Sequence, residues 1–321
     1  MAVLNSSDRL TAVEQVKRSN ISADARRIIE ELTVANEIFL DAPTVEANEG
    51  TVHTHLIRTA IPKATHRAYN EGVGQGASQT KTVKDVISQI AIYSKVDADL
   101  VAKSAFPQEL LMSEAAAFIQ GMGQQQAEEM IYGNHNLDPR YMNGLAARRN
   151  KIDELCIDMG GTGNNLTSVY LVKWGNQFAR LIYPRGSTSL GVIRKDKGIQ
   201  TVKAENGGEY EAYVNYFQAD YGMAVGHEKS IIRLANIDID TIDGTNLIKA
   251  ILKNKSKLAD GDGTVSILCN SDIMGLIDIA TLDRNNVIYT AEDPWGREVN
   301  KLRDMRFRKV NAILSTEEKV V

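Results

Sequence analysis

The chain has 321 residues, of which 43% are hydrophobic and 24% are charged, as is typical of a folded protein and not of a disordered one. Its formal net charge of -4 comes from 37 basic and 41 acidic side chains, so overall charge does not indicate binding to nucleic acid or anionic lipid. No apolar run reaches the roughly 20 residues of a membrane helix, and the start MAVLNSSDRL lacks the apolar segment of a signal peptide, so we expect a cytoplasmic protein with no membrane contact.

The first 50 residues predict a polar arm that carries one short amphipathic helix over residues 23–39. The apolar side chains at helical spacing there are Ile28, Ile29, Leu32, Ala35 and Ile38. A single helix of this length is marginal in water, so we expect it to dock on the body of the protein or on another subunit.

Two segments that follow the arm predict the strands of a hairpin. Residues 51–61 are rich in β-branched side chains and end at Pro62, and residues 86–96 alternate with a period of two. The connection between them, residues 63–84, is far longer than the two to five residues of an ordinary hairpin loop.

The middle of this connection is rich in glycine and poor in apolar side chains. The candidate contact residues at its tip are Tyr69, Glu71, Gly72, Val73, Gly74, Gln75 and Gly76. Such a segment cannot bury enough apolar area to fold by itself, so it predicts a projecting hairpin that becomes ordered on a neighbouring molecule. The alternative is a surface loop with no partner.

Residues 108–133 predict one long helix, with Pro107 before it and Gly133 after it. The apolar stripe along this helix consists of Leu111, Ala115, Phe118, Met122 and Met130. Gly121 and Gly123 weaken the helix by up to about 1 kcal/mol each, so either the helix bends there or another backbone passes close to it.

The rest of the chain predicts a mixed α+β body without regular βαβ alternation. The predicted strands are residues 169–174, 180–183, 210–217, 231–237, 264–269 and 306–314, and the predicted helices are residues 246–258 and 272–282. The last strand follows the turn residues Asp293, Pro294 and Gly296, so we expect it to return and pair with earlier structure.

None of the familiar catalytic or cofactor motifs is complete. The glycine cluster MGGTGNNLTS, residues 159–168, has no Gly-Lys pair and precedes a strand, so it predicts a structural turn instead of a phosphate site.

His53 and His55 share one face of a strand, but without a third ligand nearby they are interpreted as partly exposed strand histidines. Cys156 and Cys269 form no CxxC pair and are expected to be reduced packing residues. We therefore expect no enzymatic activity and no cofactor or metal.

Basic side chains gather in two places, and each cluster has two interpretations. The clusters are Arg148, Arg149 and Lys151, and then Lys301, Arg303, Arg306, Arg308 and Lys309. They can contact a polyanion, or they can be solvated or form salt bridges within the protein. The acidic net charge favours the second interpretation.

The order of these parts resembles the major capsid proteins of tailed bacteriophages, which have the Hong-Kong-97-type fold. The resemblance is to the podovirus-like members in particular and spans nearly the whole chain. The segments that carry it are IDMGGTGNNLTSVYLVKWG (157–175), LIYPRGSTSLG (181–191), DKGIQTV (196–202) and RLANID (233–238). These segments are structural turns and strands, so the specificity of the resemblance comes from their order and spacing together.

The resemblance implies a division of the chain into five parts. These are an N-terminal arm (1–50), an extended E-loop hairpin (51–101), a peripheral domain with the long spine helix (102–149), an axial domain (150–285) and a return to the peripheral domain (286–321). Some members of the fold cross-link a lysine of the E-loop to a neighbouring subunit. Lys63, Lys81 and Lys84 are available, but nothing marks one as activated, and no cross-link is predicted.

The function implied by the resemblance is self-assembly into the hexamers and pentamers of an icosahedral shell around a double-stranded DNA genome. The implied partners are other copies of the chain, a portal protein, a scaffolding protein and a decoration protein, with DNA enclosed but not bound by sequence. The implied location is the virion capsid, after assembly in the cytoplasm of a bacterial host. The alternatives are a phage tail or other structural protein, or a hydrolytic enzyme with a dispersed site.

Overall fold

The structure is a computed structural model that describes residues 37–187, 192–204, 207–282, 289–292 and 298–321. The predicted helix over residues 23–39 lies outside the described residues, except for its last three residues. Those three, Glu37–Phe39, form a short 3₁₀ helix.

The described residues form thirteen strands and five α-helices. The strands are β1 (Thr44–Glu46), β2 (Val52–Ala60), β3 (Gln79–Asp97), β4 (Cys156–Asp158), β5 (Leu166–Trp174), β6 (Ala179–Tyr183), β7 (Val192–Lys203), β8 (Glu209–Val225), β9 (Ile231–Asp238), β10 (Thr264–Cys269), β11 (Tyr289–Glu292), β12 (Glu298–Leu302) and β13 (Met305–Lys309). The helices are α1 (Ala98–Ala102), α2 (Pro107–Tyr132), α3 (Leu145–Arg148), α4 (Gly244–Lys255) and α5 (Ser271–Leu282).

The chain divides into two compact units. The first unit contains the described parts of residues 89–126 and 191–220, and the second contains the described parts of residues 35–88, 127–190 and 221–321.

The first unit has a small core next to the first half of α2. Val96, Val101 and Leu110 are buried there together, and Leu111 packs against them. Farther along the helix, the rings of Phe118 and Phe217 stack with their centroids 5.8 Å apart. The apolar stripe is therefore covered only in part: Met122 is buried and Phe118 is half-buried.

The second unit is built on a mixed sheet with β5 at its centre. β5 pairs antiparallel with β9 on one side and with β10 on the other. β4 joins parallel to β9, and β13 joins parallel to β10, so the predicted last strand does return to earlier structure. All nine residues of β5 are buried, which explains why its sequence shows no apolar and polar alternation.

Helices α4 and α5 cover one face of this sheet and close the main core. Leu247 and Ile251 of α4, and Ile273 and Ile277 of α5, lie four residues apart on their helices. That spacing places each pair on one helical face, where it packs against apolar side chains of the sheet.

The glycine cluster after β4 is a structural turn, as the sequence predicts. The backbone N–H of Gly161 donates to the carbonyl of Asn236 at 2.9 Å. A Cβ atom at position 161 would lie 2.5 Å from that same oxygen, so no larger residue fits there without movement.

Most predicted elements are present within a few residues. The predictions lack the short elements β1, β4, β11, β12, α1 and α3, the predicted strand over residues 210–217 continues to Val225, and the predicted last strand, residues 306–314, ends at Lys309. Two further assignments need correction. The second hairpin strand begins at Gln79, so the predicted loop over residues 63–84 is too long at its end. The strand β7 was missed, although part of it was noted as a motif, because ten of its twelve side chains are polar, glycine or exposed and show no apolar face.

Replacing Ile277 by alanine is expected to lower the free energy of unfolding by about 2–5 kcal/mol, because this side chain has no exposed area in the core. Ile279 lies two residues farther along α5 and is 62% exposed, so Ile279→Ala is expected to change the same quantity by less than about 0.5 kcal/mol. Urea denaturation of the unassembled protein, followed by circular dichroism, measures both. Equal losses in the two variants would contradict the assigned core.

Candidate functional site at the long hairpin

The predicted contact residues all lie in one exposed segment, which we call the hairpin tip (residues 61–78). Every residue of the tip is exposed. Tyr69 is 100% exposed, Ile61 is 76% exposed and Val73 is 66% exposed, so the apolar side chains of the tip have no cover from their own chain. Strongly exposed apolar groups in one segment indicate a surface for interaction.

The tip has a defined local conformation in spite of this exposure. Glu71 caps a turn, since its carboxylate accepts from the N–H of Ala68 at 3.0 Å and its own N–H donates to the carbonyl of Ala68 at 3.3 Å. Nearer the strands, a Cβ atom at Gly76 would lie 2.9 Å from the Cβ of Pro62, so glycine lets the two sides of the tip approach each other.

Below the tip, the hairpin stem is a regular antiparallel ladder. It is formed by β2 and residues 79–86 of β3, from the pair Val52 and Val86 to the pair Ala60 and Gln79. One register irregularity lies between Arg58 and Ala60. Leu56 in the stem is 69% exposed, so the stem also presents apolar surface.

The stem is attached to its unit through buried charges, which we call the hairpin root. The root consists of His53, His55, Asp85, Arg148 and Arg180. The carboxylate of Asp85 is 2% exposed and accepts from Arg148 Nη2 at 2.8 Å and from the N–H of Val225 at 3.3 Å. Arg148 also donates to the carbonyl of Met223 at 2.8 Å, so this pair ties β3 to α3 and β8.

The two histidines complete the root and do not form a metal pair. Arg180 Nη2 lies 2.9 Å from His53 Nε2, and His55 Nε2 lies 3.0 Å from the carbonyl oxygen of Val225. Their rings share one side of β2, with centroids 5.7 Å apart, as the spacing predicts. The expectation that both are partly exposed is wrong for His53, which is 8% exposed.

A second buried carboxylate, Asp41, holds the described part of the predicted N-terminal arm (1–50) to the second unit. Its side chain is 1% exposed and accepts from Arg306 Nη1 at 2.8 Å, from Arg308 Nε at 2.7 Å and from Ser266 Oγ at 2.7 Å. Burial opposes ionisation, but the hydrogen bonds from Arg308, Ser266 and Arg306 outweigh it and lower the pKa of Asp41 to about 2. Asp41 therefore remains charged at any pH near neutrality.

Four arginines of the two predicted basic clusters make internal contacts. Arg148 pairs with Asp85, and Arg306 and Arg308 pair with Asp41. Arg149 donates to the backbone carbonyls of Ile231, at 2.9 Å, and Glu228. The favoured interpretation is thus confirmed for the three arginines that form salt bridges, whereas Arg149 is held by backbone carbonyls.

The described residues offer little else for chemistry. Within them, no three His, Cys, Asp or Glu side chains are grouped to hold a metal ion. Both cysteines are buried and free, as expected, and burial raises the pKa of each thiol, to about 12 for Cys269. None of the helices described combines the length and the apolar character needed to span a bilayer.

The exposed tip can be predicted from the local sequence, but the contacts of the root cannot. Asp85 lies 63 residues from Arg148, and His53 lies 127 residues from Arg180, so no local pattern links them. The one usable signal was the shared face of His53 and His55.

Comparison with known proteins adds a family and a fold. A family model described as major capsid protein GP7 matches residues 21–321. No curated protein sequence matches the chain. A chain in the structure of bacteriophage epsilon15 has a TM-score of 0.75 and 24% identity, covering 100% of this chain and 99% of that one. A chain of the bacteriophage JBD30 capsid has a TM-score of 0.47 and 12% identity, covering 84% of this chain and 90% of that one.

Replacing Asp85 by asparagine is expected to lower the free energy of unfolding by about 3–5 kcal/mol, because Arg148 then keeps a buried charge without its counterion. The matched control is Asp138→Asn. Asp138 also pairs with an arginine, but Arg140 is 85% exposed, so no measurable loss is expected. Guanidinium denaturation of the two variants and the parent protein provides the comparison, and equal stability of all three would rule out a structural role for the root.

Proposed function

The chain belongs to the major capsid protein GP7 family, and from this premise we propose that the hairpin tip is the surface through which each copy binds a neighbouring copy in the shell. The family assignment confirms the resemblance noted in the sequence, and the fold agrees with it. The protein is a bacteriophage major capsid protein, so its role is structural, and its copies assemble into the virion capsid.

One observation carries the proposal for the tip: an entirely exposed segment continues from a stem whose root is buried. All residues of 61–78 are exposed, whereas Asp85 at the root is 2% exposed. Ordering each tip residue costs about 1–2 kcal/mol of conformational entropy, and the tip's own contacts offset little of that cost. Burial of Ile61, Tyr69 and Val73 against a partner would supply the missing stabilisation.

The geometry of shell assembly favours such an arm. Rings of identical subunits need heterologous contacts, in which one surface of a copy meets a different surface of the next. Many weak contacts per subunit give a stable shell while each contact remains reversible during assembly. We propose that these contacts build hexamers and pentamers, and that the tip residues Tyr69, Glu71, Gly72, Val73, Gly74, Gln75 and Gly76 contribute one of them.

The remaining functional assignments are proposals of the same kind. They are the five-part division of the chain, assembly in the host cytoplasm, and partnership with portal, scaffolding and decoration proteins. The shell is proposed to enclose DNA without reading its sequence. The net charge of -4 and the internal pairing of Arg148, Arg149, Arg306 and Arg308 support weak contact with DNA.

The double variant Tyr69→Ser with Val73→Ser is expected to fold normally but to assemble poorly. Each lost contact worth about 1.4 kcal/mol reduces the association constant tenfold, and the loss recurs in every subunit. Electron microscopy of concentrated protein counts closed particles, and urea denaturation of the unassembled protein verifies folding.

Leu137→Ser serves as the control, because Leu137 is also strongly exposed, at 84%, but lies outside the tip. It is expected to form particles like the parent protein. Normal shells from the double variant would contradict the role of the tip. Tubes from the parent protein, in place of closed shells, would contradict assembly into an icosahedral capsid.

A further inference from the structure

The hairpin root contains a histidine whose contact depends on its being unprotonated. Arg180 can only donate hydrogen bonds, and its Nη2 lies 2.9 Å from His53 Nε2, so this ring nitrogen must present its lone pair. The Nδ1 atom faces the backbone N–H of Asn48 at a longer distance, 3.4 Å. The hydrogen of the neutral ring is therefore assigned to Nδ1, where the competing contact is weaker.

Arg180 depends on this contact as much as the histidine does. Its Nε atom is buried and has no hydrogen-bond partner, while Nη1 donates to the carbonyl of Asn176. A proton on His53 Nε2 would remove the acceptor of Nη2 and place two positive charges in contact. Repulsion at such a distance in a partly buried site is substantial.

His55 is arranged in the opposite way. Its Nε2 donates to Val225 O, and its Nδ1 lies 3.7 Å from Asp85 Oδ2. His55 therefore faces a carboxylate, whereas His53 faces an arginine.

The charged groups that face His53 come from each element packed around it. They are Arg180 on β6, His55 on β2 and Asp85 on β3, and Asp85 is itself paired with Arg148 of α3. Burial lowers the pKa of His53 below its ordinary value of 6.5, and the charges of Arg180 and protonated His55 lower it further, although Asp85 acts in the other direction. Because the folded-state pKa is depressed, the contribution of this contact to stability is present above pH 6.5 and is lost as the pH falls toward the folded-state value.

We propose that His53 is an acid-sensitive latch at the hairpin root: a proton on Nε2 breaks the contact with Arg180 and loosens the stem from β6, while β2 and β3 remain paired. The inference deepens the proposed function, because it gives the subunit contact of the tip a means of regulation. Acidification would free the hairpin to change its angle without unfolding it.

Hydrogen exchange of the unassembled protein at about pH 7.5 and about pH 5.5, corrected for intrinsic exchange rates, tests the latch. Backbone amides of β6 and of residues 47–55 are expected to lose protection at the lower pH. The loss is at most about tenfold, because the neutral fraction of a group with a pKa of 6.5 in the detached state falls about tenfold between these two pH values.

Two variants that act on the latch by different routes make the test specific. His53→Gln keeps an acceptor for Arg180 but cannot titrate, so it is expected to show less than about a twofold change between the two pH values. Arg180→Gln removes the opposing charge but leaves His53 buried, so it is expected to keep only part of the response of the parent protein. His55→Gln changes the neighbouring ring of the root but leaves the contact between His53 and Arg180 in place, so it is expected to keep the loss at the lower pH. An equal response of the parent protein and the first two variants, or no response in the parent protein, would overturn the proposal.

The outcome is independent of the assembly experiment, since exchange is measured on unassembled subunits. If the double variant of the tip forms normal shells while the exchange pattern holds, the role of the tip fails and the latch stands. If the tip variant fails to assemble and the exchange pattern is flat, the latch fails and the role of the tip stands.

Discussion

A single carboxylate buried in the second unit determines where the hairpin is held. An ionised Asp85 at 2% exposure is tolerated only if opposite charge and hydrogen bonds replace the water that it has lost. Arg148 from α3 and the N–H of Val225 from β8 supply them together, and neither element can shift alone without leaving a buried charge unpaired. A partial shift of the stem would leave a buried charge without its partner, and this state has a higher free energy than the intact or the fully detached root. The root therefore defines one position for the stem. Such a buried ion pair fixes the position of the stem more than it adds to the net stability of the protein.

The same arrangement recurs where other chain segments join the second unit. Asp41, within the predicted arm, is held by Arg306 and Arg308 of β13. Glu317, near the end of the chain, accepts from Arg233 at 2.8 Å and from Tyr132 at 2.5 Å. In each case an acidic side chain of a peripheral segment meets arginine presented by a strand or helix of the body. Arginine suits this task because its planar group donates several hydrogen bonds at once and stays charged. Each of these chain segments is thereby attached at a defined point.

This arrangement supports the proposed role of the hairpin tip in assembly. The root and the stem hold the hairpin, and the tip keeps Ile61, Tyr69 and Val73 in solvent, so their burial is available for a partner. A surface that satisfied its own apolar groups within the subunit would have less to gain from assembly. Regulation then needs to act only on the attachment. His53 lies at that attachment with a contact to Arg180 that a proton on Nε2 would abolish. In the proposed latch, β2 and β3 therefore stay paired when the contact with β6 is lost.

The sequence by itself determined the elements whose cause is local. The long helix α2 follows from helix-forming residues between Pro107 and Gly133, and the exposed tip follows from glycines and the lack of apolar side chains. The mixed α+β class and the resemblance to the capsid family also follow from the sequence, because both depend on the order of turns and strands along the chain.

Local patterns do not predict β7, whose exposed side chains have no apolar face and which becomes a strand only by pairing with β8. Nor could they give the start of β3 at Gln79, which depends on the cross-strand partners in β2. The root was decided by tertiary structure alone. Asp85, Arg148 and Arg180 come from distant segments, and only the fold determines which charged groups lie beside one another.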